Sequence, residues 1–449
     1  MVPEKEGLFQ GNIENELNYH FNSDITLTEF TKCMKKALYH VVSKNVRVGA
    51  IRQFYGPRWF ENMCHNQKTV VHKKLKRMRA AQPHDRNVNR LQYISARREY
   101  QNLRKAKRTL FENRTIHTLS TAKNGSDFYK ALSYFRPKTK PIQKMEYVKP
   151  CEFREYFKTL FNDETKTVYD LGSYECKVEA LDKDFSYKEL NAAIKMLARN
   201  KAPGPDSVTN EMWKALDNFH RLLLLDVIND MYRKANIDPK VTTIAMSPIY
   251  KKGSKNNPAN YRPISLVNTG LKLITILLSN RLSDWCDQEG ILSQYQAAYR
   301  KGYGCETHVF TLNAILQSSL TSSKKKVFAL FVDLSKAFDS IPHKRLWERL
   351  KSIGVSTKFL QFIIKMYSNI NAFIKTPFGN SNTFPIQKSV LQGESLSPKL
   401  FTIFIDEIVN ELYKSNTQPL YMGKANIHIL LYADDIILLV TNAMIFKKK

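Results

Sequence analysis

The chain has 449 residues, enough for two or three domains, and its formal net charge of +29 favours a polyanionic partner such as nucleic acid. No apolar run approaches the length of a membrane span, and the N-terminus MVPEKEGLFQ lacks the apolar segment of a secretory signal. The six cysteines are scattered without CxxC or zinc-finger spacing, so we expect no disulfide partner, no membrane, and a nuclear or cytoplasmic protein that is not secreted.

A strongly basic segment lies in the N-terminal third of the chain. Acidic residues almost vanish between Lys68 and Arg108, where HKKLKRMRA and REYQNLRKAKR carry a sparse apolar stripe typical of helices. One interpretation is a helical arm that follows phosphates, and the other is an ordinary solvated helix face. We assign residues 1–140 to a basic helical N-terminal region and 141–184 to a linker with short helices, with FRPKTKP (135–141) at the boundary.

A basic β-hairpin is predicted at residues 247–266, reading SPIYKKGSKNNPANYRPISL. Ile249 and Tyr250 end one strand, KKGSKNNPAN forms the turn, and YRPISL begins the return strand. Lys251 and Arg262 on this hairpin could bind a phosphate chain, Arg262 by bidentate contacts. A solvated turn is an equally simple explanation for the lysines, but it suits Arg262 less, because an apolar strand follows it directly.

Two later stretches place polar residues beside buried elements. VFALFVDLSKAFDSIPH (327–343) predicts a buried core strand that ends in Asp333, although a single Asp at such a position is often a helix cap. SVLQGESLSP (389–398) predicts a loop that opens a helix, in which Gln392 and Gly393 would let a ligand approach the backbone closely. The alternative for this loop is a helix N-terminus with a flexible glycine.

Two adjacent acids occupy the stretch IHILLYADDIILLV (427–440). The pattern predicts two short buried strands joined by a tight turn, with Asp434 and Asp435 at its tip. Taken alone, this stretch is equally compatible with an Asp-rich turn and with a metal site, because two neighbouring carboxylates are costly to desolvate without a cation.

Four motifs occur in a fixed order along the chain: YRPISL, FVDLSKAFDSIPH, LQGESLSP and LYADD. Together they resemble the reverse transcriptase core, and their sequences are most similar to those of non-LTR (LINE-type) retrotransposon polymerases. KAPGPDSVTNEMW (201–213) and SQYQAAYRKGYGCETH (293–308) look like segments that precede the first catalytic acid in those proteins. The resemblance covers about residues 185–440. It implies an α+β right-hand polymerase, with fingers at 185–326 and a partial palm at 327–449.

The resemblance also implies RNA-directed DNA polymerisation and assigns the catalytic acids. Asp333 and Asp434 would hold two Mg²⁺ ions, and Asp435 would assist them or orient the site. The reaction joins a dNTP to the 3′-hydroxyl of a DNA primer on an RNA template, and two ions can stabilise the attacking and leaving oxygens. Carboxylates are the hard oxygen ligands that Mg²⁺ prefers.

The substrate-binding residues follow from the same resemblance. Phe338 would be the steric gate that rejects a ribose 2′-hydroxyl, where composition alone would predict an ordinary core Phe. Arg262, with Lys251 as a weaker candidate, would bind the triphosphate. Gln392 and Gly393 would shape the nucleotide and template pocket. Asp339 matches a recurrent acid of these proteins, to which we assign a structural role.

The sequence departs from its relatives in two respects. Ser389 stands where many of them have Gly, and only nine residues follow Val440, so we expect the thumb and the primer-holding strands to be absent. A second hypothesis is therefore a catalytically inactive nucleic-acid-binding remnant of such an element. An RNA-dependent RNA polymerase is disfavoured by bulky Phe338, and a group II intron maturase, which shares YADD, is not excluded.

Overall fold

The structure is a computed structural model that describes residues 3–18, 25–41, 59–122, 128–129, 132, 148–162, 169–322, 326–414, 419–422 and 425–440. The proposed boundary segment 135–141 lies outside these ranges. The chain divides into two compact units, residues 1–44 with 147–449 and residues 45–146, and we describe each by itself.

Helices predominate in both units. Before residue 148 the described ranges include α1 (Pro3–Asn18), α2 (Leu27–Val41), α3 (Asn62–Ala80) and α4 (Arg86–Ser120). The remaining α-helices span Pro150–Phe161, Glu179–Asp182, Tyr187–Met196, Asn210–Lys214, Asn218–Lys234, Pro239–Thr242, Thr269–Gln288, Cys305–Ser322, His343–Ser352, Thr357–Ser368, Ser397–Ile405 and Glu407–Lys414, with 3₁₀ turns at Pro258–Asn260 and Phe338–Ser340. No helix in the described ranges is long and apolar enough to cross a lipid bilayer.

The strands form three sheets in the larger unit. They are β1 (Thr243–Tyr250), β2 (Tyr261–Leu266), β3 (Phe328–Asp333), β4 (Asn371–Thr376), β5 (Gly379–Asn380), β6 (Phe384–Pro385), β7 (Leu420–Met422), β8 (Ala425–Ile427), β9 (Ile429–Tyr432) and β10 (Asp435–Val440). One sheet has the order β2-β1-β4-β5, with β6 also paired to β4, the second has the order β3-β10-β9, and β7 pairs with β8. The protein is therefore a mixed helix-and-sheet fold.

Helices α1 and α2 belong to the larger unit, although the sequence analysis grouped them with the basic N-terminal region. Phe9 and Ile13 of α1 are fully buried in its core, and the ring of Phe30 in α2 stacks on Trp213 at 6.3 Å. Their amphipathic faces need a hydrophobic partner, and this core supplies one. The basic segment proper forms α3 and α4 of the smaller unit.

Strand β3 departs from the expected buried core strand. It is the outermost strand of its sheet, and Phe331 is 68% exposed while Leu330 is 41% exposed. An apolar run specifies strand formation, but the elements packed against the sheet decide whether both faces are covered. The prediction of a buried strand was wrong for β3, whereas β9 and β10 are largely buried, as expected.

Candidate active site

The three predicted catalytic acids meet at one end of the β3-β10-β9 sheet. In the antiparallel register of β10 and β3, Asp435 lies directly opposite Asp333. Directly opposed residues of an antiparallel pair project on the same face of the sheet, with Cβ atoms about 4.5–5.5 Å apart. Asp434 is the neighbouring residue in the turn between β9 and β10. Residues about a hundred positions apart in sequence are thus brought together by strand pairing.

The turn that carries Asp434 is tight and conformationally unusual. Tyr432 pairs with Asp435, which leaves Ala433 and Asp434 as the two-residue connection, and Ala433 has a positive φ of 55°. The phenol of Tyr299 lies near this turn: burial raises the pKa of Tyr299, and the charge of Asp434 raises it further. The turn therefore holds Asp434 in a defined backbone conformation, close enough for its charge to influence the Tyr299 hydroxyl.

The donor set at this end of the sheet suits a hard cation. In the described part of the chain, neither Asp333, Asp434 nor Asp435 forms an ion pair with Lys, Arg or His within 4.0 Å. Opposed like charges destabilise a strand pair unless a cation offsets them. No three acidic, His or Cys side chains in the described ranges converge closely enough to form a complete metal site. The carboxylates are adjacent without forming a closed cage.

A second group of predicted residues surrounds the loop after Lys388. The backbone N–H of Ser265 in β2 donates to the carbonyl of Gln392 at 2.9 Å, and the Gln392 side-chain amide lies 3.4 Å from Oδ1 of Asp339. Burial raises the pKa of Asp339 to about 6, an effect that Lys336 and Arg262 oppose. Arg262 itself is exposed on β2. The structure therefore brings Arg262, Gln392 and Asp339 into one neighbourhood.

Gly393 has no room for a side chain. Its φ is +126°, and a Cβ built on it would lie 2.6 Å from the carbonyl oxygen of Ser265. Only glycine combines that backbone conformation with so close an approach to another strand. The loop is consequently pressed against β2, the strand that bears Arg262.

Phe338 lies in the 3₁₀ turn that follows β3 and is half-buried. Its ring stacks on Phe401 with 4.6 Å between centroids and 7° between planes, and its carbonyl accepts a hydrogen bond from the Val390 N–H at 3.0 Å. These contacts tie the segment after Asp333 to the Gln392 loop. They fix the ring position, which both a core role and a gating role require.

Lys251 stands apart from the other predicted substrate-binding residues. Its backbone N–H closes the β1–β2 hairpin by donating to the Asn260 carbonyl at 2.8 Å, and its side chain is exposed. The structure gives no hydrogen bond or ion pair between the Lys251 side chain and another predicted site residue in the described ranges. The hairpin itself matches the sequence prediction, with Ile249 opposite Arg262.

Sequence comparison identifies the domain that contains both groups of residues. Residues 249–448 match the family model described as "Reverse transcriptase (RNA-dependent DNA polymerase)". This match identifies residues 249–448 as a reverse transcriptase domain. The reverse transcriptase domain begins in β1 and includes all the acids and substrate-binding candidates discussed above.

The relatives are proteins of transposons and other mobile elements. The "Probable RNA-directed DNA polymerase from transposon BS" of Drosophila melanogaster is 30% identical over 57% of this chain and 28% of its own length. The "RNA-directed DNA polymerase from mobile element jockey" of Drosophila funebris is 25% identical over 58% of this chain and 28% of its own. The "Transposon TX1 uncharacterized 149 kDa protein" of Xenopus laevis is 26% identical over 59% and 20% respectively. The chain thus spans between about a fifth and just over a quarter of these relatives' own length.

Among solved structures, a telomerase from Candida tropicalis truncated from its C-terminal domain is similar to this chain, with 14% identity, 86% coverage of both chains and a TM-score of 0.37.

The backbone conformation of Ser389 accounts for the glycine expected at this position in its relatives. It has a positive φ of 97° and is 2% exposed, a conformation that glycine adopts without strain. Its N–H donates to Ile341 and its carbonyl accepts from the ring of His343, so the conformation is held from two sides. The sequence expectation that relatives carry Gly here therefore has a backbone cause.

One residue of the Gln392 loop has a role that sequence reasoning missed. Glu394 is buried, receives hydrogen bonds from the Leu396 N–H at 2.7 Å and the Ser397 hydroxyl, and lies 3.1 Å from the Tyr367 hydroxyl. Burial raises the pKa of its carboxyl group. Glu394 thus satisfies donors at the start of the helix Ser397–Ile405 and fixes the far end of the loop. The acidic residue directly after Gln392 and Gly393 was the sequence signal that could have indicated this role.

Proposed function

We propose that this chain is an RNA-directed DNA polymerase that adds dNTPs to the 3′-hydroxyl of a DNA primer on an RNA template. The observation that carries the proposal is the pairing of Asp435 with Asp333 beside Asp434, inside a reverse transcriptase domain. Phosphoryl transfer needs little covalent chemistry from a protein, so catalysis depends on charge stabilisation and positioning. The paired carboxylates of Asp333 and Asp435, with Asp434 next to them in the turn, would meet the first need by binding cations.

Members of the family use a divalent metal, and Asp333, Asp434 and Asp435 fit Mg²⁺ because they offer unpaired hard oxygen ligands. Bound there, Mg²⁺ would stabilise charge on the attacking and leaving oxygens. The protein's own part is to hold the carboxylates at one end of a sheet, on two paired strands and a two-residue turn. Strand pairing is a rigid means of positioning, more precise than a free loop.

The substrate-binding roles rest on the second group of residues. Arg262 is exposed on β2 and can form bidentate contacts with a triphosphate. Gln392 and Gly393 lie against β2 and can present backbone and amide groups to a base pair. Phe338, held by Phe401, can exclude a ribose 2′-hydroxyl by bulk. Lys251, at the hairpin tip, would contact the phosphate chain farther from the sugar.

In this proposal the β1–β2 hairpin and the helices before it act as fingers, and the β3-β10-β9 sheet acts as the palm. The support is topological. Arg262 lies on one sheet and the acids on another, and the segment 333–343 with the Gln392 loop connects them. A nucleotide held between the sheets would have its phosphates near Arg262 and its reacting phosphorus toward the acids.

Primer extension on an RNA template with dNTPs and Mg²⁺ tests the proposal, with Asp434→Asn as the matched control. We expect wild-type extension and a loss of at least 100-fold in Asp434→Asn, because removing a residue of a catalytic unit costs several kcal/mol. If wild-type extension is absent while salt-sensitive RNA binding persists, the inactive nucleic-acid-binding remnant is the correct reading.

A further inference from the structure

Five arginines form one row along α4 of the smaller unit. Arg86, Arg90, Arg97, Arg104 and Arg108 fall within about 40° of one another at 3.6 residues per turn, and all five are exposed. At 1.5 Å per residue the row extends over about 33 Å. Residues of like charge along one helix face repel one another, so such a row is costly unless an anionic partner spans it.

The acids of this helix pair do not neutralise most of the row. Glu61 pairs with Lys107 at 2.6 Å, and Glu112 pairs with Arg108 at 2.8 Å. The carboxylate of Glu99 accepts from Gln67 at 3.0 Å and from Ser95 at 3.2 Å. Within the described ranges, no ion pair reaches the first three arginines of the row. Their charge is available to a ligand.

Aromatic rings border the same face. Tyr93 and Tyr100 are half-buried. They lie on the side of the arginine row, about 20–80° from the arginines around the axis of α4. The guanidinium of Arg104 lies 5.6 Å from the ring of Tyr100 and 5.9 Å from that of Trp59. Cationic groups that follow a backbone, together with aromatic rings on which bases stack, are the combination found where proteins bind single-stranded nucleic acid.

We propose that the arginine row on α4 binds single-stranded RNA outside the polymerase site. The row is straight, and a flexible strand can follow it along its length. The backbone of a rigid duplex would curve away after a short contact. This inference takes RNA as the partner from the proposed function, but it concerns binding and does not require extension activity.

Salt-dependent binding of the full-length chain to a short RNA tests the row. The variant Arg86→Gln/Arg90→Gln/Arg97→Gln should lower the magnitude of the slope of log K against log salt by about 2, since each lost phosphate contact removes about 0.7 for a single strand. The control variant Arg98→Gln/Lys105→Gln/Arg114→Gln removes the same charge from other faces of α4 and should change the slope by less than half as much.

If both variants lower the magnitude of the salt slope equally, with unchanged circular dichroism, RNA binding follows net charge. That result would overturn the proposal that the arginine row is the binding site. The same titration with the RNA in a duplex provides the second discriminating result. A larger effect of the row variant on the duplex than on the single strand would overturn the assignment to single-stranded RNA.

A different observation concerns Gln296, which is completely buried beside the acids. Its side-chain oxygen accepts the N–H of Ala298 at 3.0 Å and faces the N–H of Ala433 at 3.4 Å. Ala433 is the residue of positive φ immediately before Asp434. One buried amide oxygen thus joins the segment 293–300 to the turn that carries a catalytic acid.

The main chain of this segment continues the connection. The N–H of Ala297 donates to the carbonyl of Leu431 at 3.0 Å, and the N–H of Leu431 donates to the carbonyl of Tyr295 at 2.9 Å. The ring of His308 lies 2.9 Å from the same Leu431 carbonyl. Such contacts over-determine the backbone before the turn, as a strained conformation requires.

We infer that Gln296 is a positioning residue for Asp434. Without its oxygen, the buried N–H of Ala433 would lose an acceptor, and the turn would lose one of the contacts that hold it. Removing supporting residues behind metal ligands typically weakens metal affinity by about 10–100-fold. The effect should therefore appear in metal dependence more than in RNA binding. This inference rests on the proposed function only where catalysis is measured.

Amide hydrogen exchange over residues 429–436 tests Gln296 without any catalytic readout. In Gln296→Met, which keeps the volume but removes the acceptor, we expect exchange at Ala433 to accelerate at least 10-fold. Gln294→Met is the matched control, because Gln294 is exposed and its side-chain amide donates to the Tyr295 hydroxyl at 3.0 Å, away from the turn. Unchanged exchange in a folded Gln296→Met protein would overturn the inference.

Primer extension then separates positioning from simple destabilisation. The Mg²⁺ concentration for half-maximal rate should rise about 10-fold in Gln296→Met, and the maximal rate should recover at high Mg²⁺. A lower rate at every Mg²⁺ concentration with no change in half-saturation would indicate general damage and would contradict the positioning role. Absence of wild-type extension would count against the proposed function, while the exchange result would still decide the role of Gln296.

Discussion

Gly393→Ala adds a single methyl group, but it should strongly disrupt the contact between the Gln392 loop and β2. The added Cβ would lie 2.6 Å from the Ser265 carbonyl oxygen, where ordinary contact begins at 3.4 Å, so the loop must move by several tenths of an ångström. A backbone oxygen cannot rotate out of the way. We assign about 1–3 kcal/mol to the positive φ and a further 1–3 kcal/mol to the overlap.

Gly379→Ala separates the cost of the positive φ from the cost of the steric overlap. Gly379 has nearly the same φ, +127° against +126°, but open space where its Cβ would be. Urea unfolding followed by tryptophan fluorescence should place Gly393→Ala about 1–3 kcal/mol below Gly379→Ala. The KM for dNTP should rise only in Gly393→Ala, because the displaced loop breaks the Ser265–Gln392 hydrogen bond. Equal stability of the two variants would refute the steric argument.

Three further predictions concern the same domain. Phe338→Val should raise ribonucleotide incorporation in competition with dNTPs, and unchanged sugar selectivity in an active Phe338→Val protein would reject the gate. Ser389→Gly should stabilise the domain by about 1 kcal/mol in urea unfolding, because it relieves the positive φ; a loss of stability would contradict this. The pKa of Asp339 is raised from 3.8 to about 6, so its contribution to stability is present below pH 3.8 and is lost as pH rises to about 6. Asp339→Asn should remove that dependence and add up to about 3 kcal/mol above pH 6, measured by unfolding across this range.

Sequence patterns were sufficient to predict features of local structure and the arrangement of motifs that a known family shares. A capping box forms between Ser186 and Glu189, three residues apart in sequence, with the Ser186 N–H donating to Glu189 at 2.8 Å. The hairpin with Asp434 in its turn follows directly from the apolar runs around it. The meeting of Asp333 with Asp435 needed the family resemblance, because no local pattern specifies which strands pair.

Other features depend on contacts that no single stretch can reveal. Gln296 was missed because the N–H it faces is 137 residues away, and a glutamine in a loop carries no sign of burial. The tight fit of Gly393 depends on a carbonyl in β2. The exposure of Leu330 and Phe331 in β3 depends on which elements pack against the sheet, since the composition of the strand alone indicates a covered core strand.

The outermost position of β3 has a practical consequence for the purified protein. Among the described strands, only β10 pairs with β3, so the other edge of β3 offers main-chain donors and acceptors next to the exposed ring of Phe331, and such an edge is a template for a strand from another molecule. Self-association through β3 would occupy the strand that ends in Asp333. Measured activity per molecule should then fall as protein concentration rises, and Phe331→Lys, which places a charge on this edge, should restore it.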